Sequence, residues 1–239
     1  MKTKVHFISI LVSIMGLFQM SLAVQAQDRQ PKWTDTFFQK ENDFSSTGAN
    51  AFFILKPGYQ LILEGKEGRA NVHLSITVLH ETQKIGDVET RIVEERESKN
   101  GEIVEVSRNF YAISRSNNSV FYFGEEVDIY KNGKIVAHEG AWQSGSHGAH
   151  WGLMMPGLPL LGSRYYQEIA PGVAMDRAEI VGLHAKVQTP AGVFENCLKI
   201  EETTPLEKGI REYKMYAPGI GLIQDANLRL VKYGYVNQK

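Results

Sequence analysis

From Tyr59 onward the chain is cut into short β-forming runs by turn-forming clusters, with no long helical period between them. That punctuation limits the possible folds more than any other feature. Val72, Leu74, Ile76 and Val78 alternate with His73, Ser75, Thr77 and Leu79, the period of two that sends one set to each face of a strand. Turn clusters fall at Gly65-Lys66-Glu67-Gly68, Ile85-Gly86-Asp87, Asn100-Gly101, Asn117-Asn118 and Asn132-Gly133. After Arg164 further strands are expected over residues 165–169, 173–182, 184–188, 193–201, 210–216, 220–224 and 228–235. The predicted fold class is mainly β. It is a single curved antiparallel sheet, a half-barrel or barrel meander. A short N-terminal helix over residues 32–39 precedes it, with Trp33, Phe37 and Phe38 on one side.

Two turns set a register. Asn-Gly favours a two-residue type I′ hairpin, because both positions need positive φ. Asn100-Gly101 then places Lys99 opposite Glu102 and Arg96 opposite Glu105, both attractive pairs. Asn132-Gly133 places Ile129 opposite Val136, Val127 opposite His138 and Glu126 opposite Glu139, with Asp128 on the same face as the two acids. Phe121 and Phe123 alternate with Val120 and Tyr122. Strands apolar on both faces must be covered on both or enclose something.

Lys2 and Lys4 precede an apolar run over residues 5–20 and then Ala23-Val24-Gln25-Ala26, the pattern of a secretory signal peptide cut after Ala26. The expected organisation is a signal over 1–26 and one β-rich domain over 27–239. Within that domain, 27–58 is an irregular opening, 59–142 a meander, 143–163 a loop and 164–239 a second meander. No later apolar run is long enough to span a bilayer as a helix. Cleavage takes the 26 basic residues to 24 against 27 acidic ones, a net charge of −3. The charges are interspersed, which argues against nucleic acid, since that partner calls for a basic stripe. Cys197 is the single cysteine. No intramolecular disulfide can form, and a buried structural thiol is expected.

Residues 143–163 interrupt the meander with glycines and prolines, which disfavour a helix or a central strand. The loop is nevertheless strongly apolar, and long apolar loops pack over something or serve function. Trp151, Leu153, Met154, Leu158 and Leu161, with Phe121 and Phe123, are the expected ligand-binding residues. His147 and His150, with Met154 or Met155 and His138, offer imidazole and thioether ligands suited to copper, and imidazole also suits zinc. Glu126, Asp128 and Glu139 offer carboxylates for a hard cation or for acid–base hydrolysis. Ser146 adjoins His147, but no nucleophile elbow is present. Nothing in the sequence calls for a cofactor.

Two C-terminal segments carry a resemblance. Thr189-Pro190-Ala191-Gly192-Val193-Phe194-Glu195-Asn196-Cys197 and Tyr216-Ala217-Pro218-Gly219-Ile220-Gly221-Leu222-Ile223 resemble an uncharacterised group of secreted bacterial proteins with a TPAG-F-NC hairpin before a YAPGIGLI strand. The architecture is similar to LolA/LolB-like lipoprotein-carrier half-barrels, in which a curved sheet wraps plugs around an apolar cavity. That resemblance implies a carrier-like cavity and transfers no binding residue.

Taken together, these features suggest a secreted or periplasmic, non-enzymatic binding protein for a lipid or other apolar small molecule, capped by residues 147–161. The alternatives are a copper or zinc protein using the His/Met loop, and a carboxylate-based hydrolase.

Overall fold

In the computed structural model, which describes residues 32–236, the turn clusters are where the chain reverses. Asn100 and Gly101 take φ of 53° and 87°, and Asn132 and Gly133 take 52° and 71°, as a type I′ turn requires. The expected signal segment lies outside the described residues.

Three short strands come first: β1 (Phe44–Ser45), β2 (Gly48–Asn50) and β3 (Phe53–Leu55). A long meander follows, through β4 (Tyr59–Glu67), β5 (Ala70–Ile85), β6 (Val88–Lys99), β7 (Glu102–Ser114), β8 (Val120–Lys131) and β9 (Lys134–Ala137). The connecting region holds β10 (Trp142–Gln143), β11 (His150–Met155), β12 (Arg164–Tyr166) and β13 (Glu168–Ile169). The second meander is β14 (Arg177–Thr189), β15 (Gly192–Thr203), β16 (Glu212–Ala217), β17 (Gly221–Asp225) and β18 (Leu228–Tyr235).

All but β2 and β3 join one antiparallel sheet in the order β12-β14-β15-β16-β17-β18-β4-β5-β6-β7-β8-β11-β13, with β1 on β7, and β9 and β10 on β8. Its two ends, β12 and β13, are separated in sequence by Gln167 alone. The amides of Gln167 and Glu168 both donate to the Asp176 carbonyl, at 2.8 and 3.1 Å. One continuous stretch therefore pairs first with β14 and then with β11, and the sheet nearly closes into a barrel.

Both faces of β8 are covered, for different reasons. Val120 and Tyr122 join the interior core with Leu55, Leu63, Ile180, Leu198, Ile200 and Ile223. Phe121 and Phe123 lie in a second cluster with Phe44, Ile92, Phe110 and Ala112. The N-terminal segment straps that outer cluster. Phe44 meets Phe121 and Phe123 edge-on at 5.3 and 5.2 Å. The Asp43 carboxylate accepts the Ser114 and Ser116 hydroxyls, each at 2.7 Å.

Several expectations are corrected. Residues 32–39 form no helix; Thr34 bridges Tyr165 instead, and the helical element is one 3-10 turn at Glu41–Asp43. A bulge between Glu97 and Ser98 keeps Lys99 opposite Glu102 but moves Arg96 opposite Val106. A second bulge puts Ile129 opposite Ala137. Glu126 faces Arg108 on β7, and β9 ends before Glu139. Residues 150–155, read as loop, form a strand held between β8 and β13. Gly152 permits this, since a Cβ there would sit 2.3 Å from the Gln167 carbonyl oxygen.

Candidate functional site

The barrel has two unlike ends. At the end where β7 turns into β8 and β16 into β17, the β2–β3 hairpin is inserted as a plug. Asn50, 2 % exposed, latches it. Its amide donates to the carbonyls of Asn118 (2.8 Å) and Pro156 (3.0 Å), and its Oδ1 accepts from the Phe52 amide at 2.8 Å. The Gly219 amide donates to the Ala51 carbonyl at 2.7 Å, and the Tyr59 hydroxyl to the Ile220 carbonyl at 2.9 Å.

Inside the plug lies a cavity of about 70 Å³. Phe52, Phe53 and Ile54 of the plug, with Leu61, Val78 and Leu222 of the wall, make its apolar part; Glu95, Lys214 and Asp225 make its charged part. The charged part faces the opposite end of the barrel, where Glu202 is the next-to-last residue of β15 and Asp225 closes β17. Asp176 immediately precedes β14 there.

Lys214 is the pivot. Its Nζ lies 2.9 Å from Glu202 Oε2 and 3.8 Å from Asp225 Oδ2. Burial disfavours its charge, but Asp225 and Glu202 outweigh burial and hold its pKa well above the ordinary lysine value. Protein surrounds Lys214, yet 22 % of its side-chain surface stays exposed. Lys214 lines the cavity.

The other carboxylates are pushed the opposite way. Burial, then the charges of Asp225, Glu105 and Glu202, raise Glu95 to about 7 against the opposing pull of Lys214. Burial and then Glu125 hold the Glu168 carboxyl well above the usual range. Glu125 rises through burial, partly offset by a hydrogen bond from Tyr122. Asp176 rises through burial and Glu202. Gln167 Nε2 donates to Glu202 Oε1 at 3.0 Å, and more weakly to Met154 Sδ at 3.6 Å. Two buried donors near this cluster have no hydrogen-bond partner: the Tyr165 hydroxyl and the Trp142 indole N–H. Of these groups Glu95, Lys214 and Asp225 line the cavity, and perturbed carboxylates at an enclosed space mark a candidate site.

Of the residues expected to bind ligand, Met154 lines the cavity. Leu153 packs between the two clusters. Trp151, Phe121 and Phe123 do not reach the cavity; Trp151 packs on Phe44 and Phe121 under the N-terminal strap, at 5.8 and 5.2 Å. Leu158 and Leu161 are exposed, at 75 % and 66 %, because the β11–β12 connection projects from the barrel instead of lying across it. The plug at residues 48–55 fills the place assigned to the 147–161 cap. His147 and His150 are exposed, and His150 Nδ1 reaches no further than the Trp151 carbonyl, at 3.4 Å. His138 is engaged by Asp128 at 2.9 Å. No three His, Cys, Asp or Glu side chains among the described residues are placed to hold a metal. Cys197 is fully buried, with its thiol pKa pushed up by burial.

The lumenal charges were missed in the sequence. A signal existed for one of them: Lys214 is two residues from Tyr216, a strand spacing that puts both on one face.

No family model, curated protein or solved structure matches the chain. Among the described residues no helix is long and apolar enough to cross a membrane.

Proposed function

We propose that the protein is an exported, non-enzymatic binding protein that holds a small ligand with an apolar body inside the barrel. The observation that carries this reading is the cavity between plug and charged end, apolar at one side and ionic at the other. Ligand sites are concave and mostly apolar, with a few placed polar groups. The signal-like first 26 residues support export. A sheet wrapped around a plug is compatible with a carrier-like architecture. The cavity is about half the ~150 Å³ that accommodates benzene in an engineered core, so a short alkyl body fits and a whole acyl chain requires the plug to move. Native mass spectrometry of the purified protein, with organic extraction, tests the reading. A co-purifying small molecule is expected. A bare mass, together with no thermal shift from any short-chain alcohol or amine, overturns it.

One observation favours a second reading, acid–base hydrolysis. Burial raises the pKa of both Glu125 and Glu168, and the charge of Glu125 adds to the rise at Glu168, as a neighbouring carboxylate does in a catalytic pair. Turnover of a chromogenic glycoside panel, lost in both Glu125→Gln and Glu168→Gln, would support it. No turnover by the wild type removes it.

A further inference from the structure

The cavity wall is not laddered all the way round. β17 and β18 pair at two positions, Gln224 opposite Arg229 and Asp225 opposite Leu228. Among the described residues no pairing joins 221–223 to 230–235. On its other side β18 pairs with β4 from Arg229 to Tyr235. The cavity reflects this seam. Ile220, Gly221 and Leu222 line it on one side and Tyr59 and Leu61 of β4 on the other, with no described residue of β18 between them. Side chains bridge the gap in place of a ladder. The Tyr59 hydroxyl donates to the Ile220 carbonyl at 2.9 Å. Leu61 lies against Gly221, where a Cβ would sit 3.6 Å from its Cδ1. One hydrogen bond and one apolar contact part more readily than a run of ladder bonds.

A second element crosses the seam. β15 pairs with β16, yet the tip of the β14–β15 hairpin reaches β18, two strands further on. The Ala191 amide donates to the Leu230 carbonyl at 3.0 Å, and the Phe194 ring meets Tyr233 edge-on at 6.2 Å. Val187 and Cys197 are buried on the inner side of the hairpin, while Lys186 and Glu195 pair in solvent on its outer side at 2.8 Å. No residue of 183–196 lines the cavity, so the hairpin covers the seam from outside. Its own ladder breaks three times where it leaves the sheet, between Ile180 and Gly182, Gly182 and Ala185, and Ala185 and Val187. Asn196 there takes a φ of 55°. Such breaks remove ladder bonds and bend a strand pair, and local opening is drawn from the weakly bonded parts of a fold.

We propose that residues 183–196 are a flap hinged at these breaks, and that a small ligand enters and leaves the cavity sideways beneath it, between β17 and β4, with the plug in place. The proposal rests on the binding reading above and names the route to that site. Opening requires the Ala191–Leu230 bond, the Phe194–Tyr233 contact and the Tyr59–Ile220 bond to part, and leaves the laddered wall intact.

The probe is 3,3,3-trifluoropropan-1-ol, whose exchange between free and bound forms is followed by fluorine saturation transfer on the full-length protein. Phe194→Cys/Tyr233→Cys is compared before and after joining by a short bis-maleimide, with the buried Cys197 left in place. Joining is expected to slow exchange by at least about tenfold while affinity stays within about twofold. Phe194→Ala, which loosens the tip, is expected to speed exchange about threefold or more. An exchange rate unchanged by joining overturns the flap and leaves the binding reading standing. If the double variant does not fold, Phe194→Ala decides alone, and an unchanged rate in it overturns the flap. Absence of any bound signal in the wild type overturns both readings.

Discussion

Burial disfavours the charged form of Lys214, and Asp225 with Glu202 outweighs burial. Removing one partner of a buried ion pair leaves an uncompensated charge, at a cost of about 3–5 kcal/mol. Lys214→Met is therefore expected to lose stability on that scale at pH 7 in urea denaturation, and less at pH 5, where protons take over the role of the ammonium. An equal loss at both pH values would mean that Lys214 contributes packing and not charge. Glu95 acts in the opposite sense. Its folded pKa of about 7 exceeds the ordinary 4.5, so the folded state holds the proton more tightly than the unfolded chain. Stability is then greatest below 4.5 as far as this group is concerned, and falls as pH rises from 4.5 through 7. Glu125 and Glu168 push the same way. The protein should be more stable at pH 5.5 than at pH 8 by on the order of 1–3 kcal/mol, and Glu95→Gln should flatten that slope. A stability that rises over this interval contradicts the assignment.

Among the elements, the β11–β12 connection divides into wall and tip. Replacing residues 158–161 with Gly and Ser changes exposed side chains and should leave the melting temperature within a few degrees, since exposed substitutions fall within about ±0.5 kcal/mol each. Deleting residues 148–161 removes β11, opens the barrel between β8 and β13, and should abolish the cooperative melt. Similar melts for both variants would show that β11 is dispensable. The same region shows what was legible in the sequence. Turn chemistry at Asn100-Gly101 and Asn132-Gly133 was readable because φ preference is local. The two-faced strands around Phe121 and Phe123 were readable because alternation is local. Bulges were not, since an extra residue answers to the curvature of the partner strand. Each bulge swaps which face a side chain takes. The slips at Glu97/Ser98 and Asn109/Tyr111 separate Glu95 and Glu125 from any register counted from the turns. Acids such as Glu95, in the run Glu94-Glu95-Arg96-Glu97, read as a solvated strand face, and only closure of the sheet turns that face inward.

For the whole molecule, closure depends on the last strand. β18 pairs with β4 from Arg229 opposite Glu64 to Tyr235 opposite Tyr59, joining the two meanders. Truncation after Asn227 should leave a chain that binds hydrophobic dyes and melts without a cooperative transition; a sharp melt in that chain would show that the first meander stands alone. The plug meets the same dependence from the other side. Residues 48–55 are made long before the strands that enclose them. At roughly 5–20 residues per second, the stretch between the plug and β18 takes on the order of ten seconds or more to synthesise. Through that interval Phe52, Phe53 and Ile54 are a stopper without a bottle, so the yield of native protein is set by how well the nascent chain is kept from its neighbours and not by how fast any local turn forms.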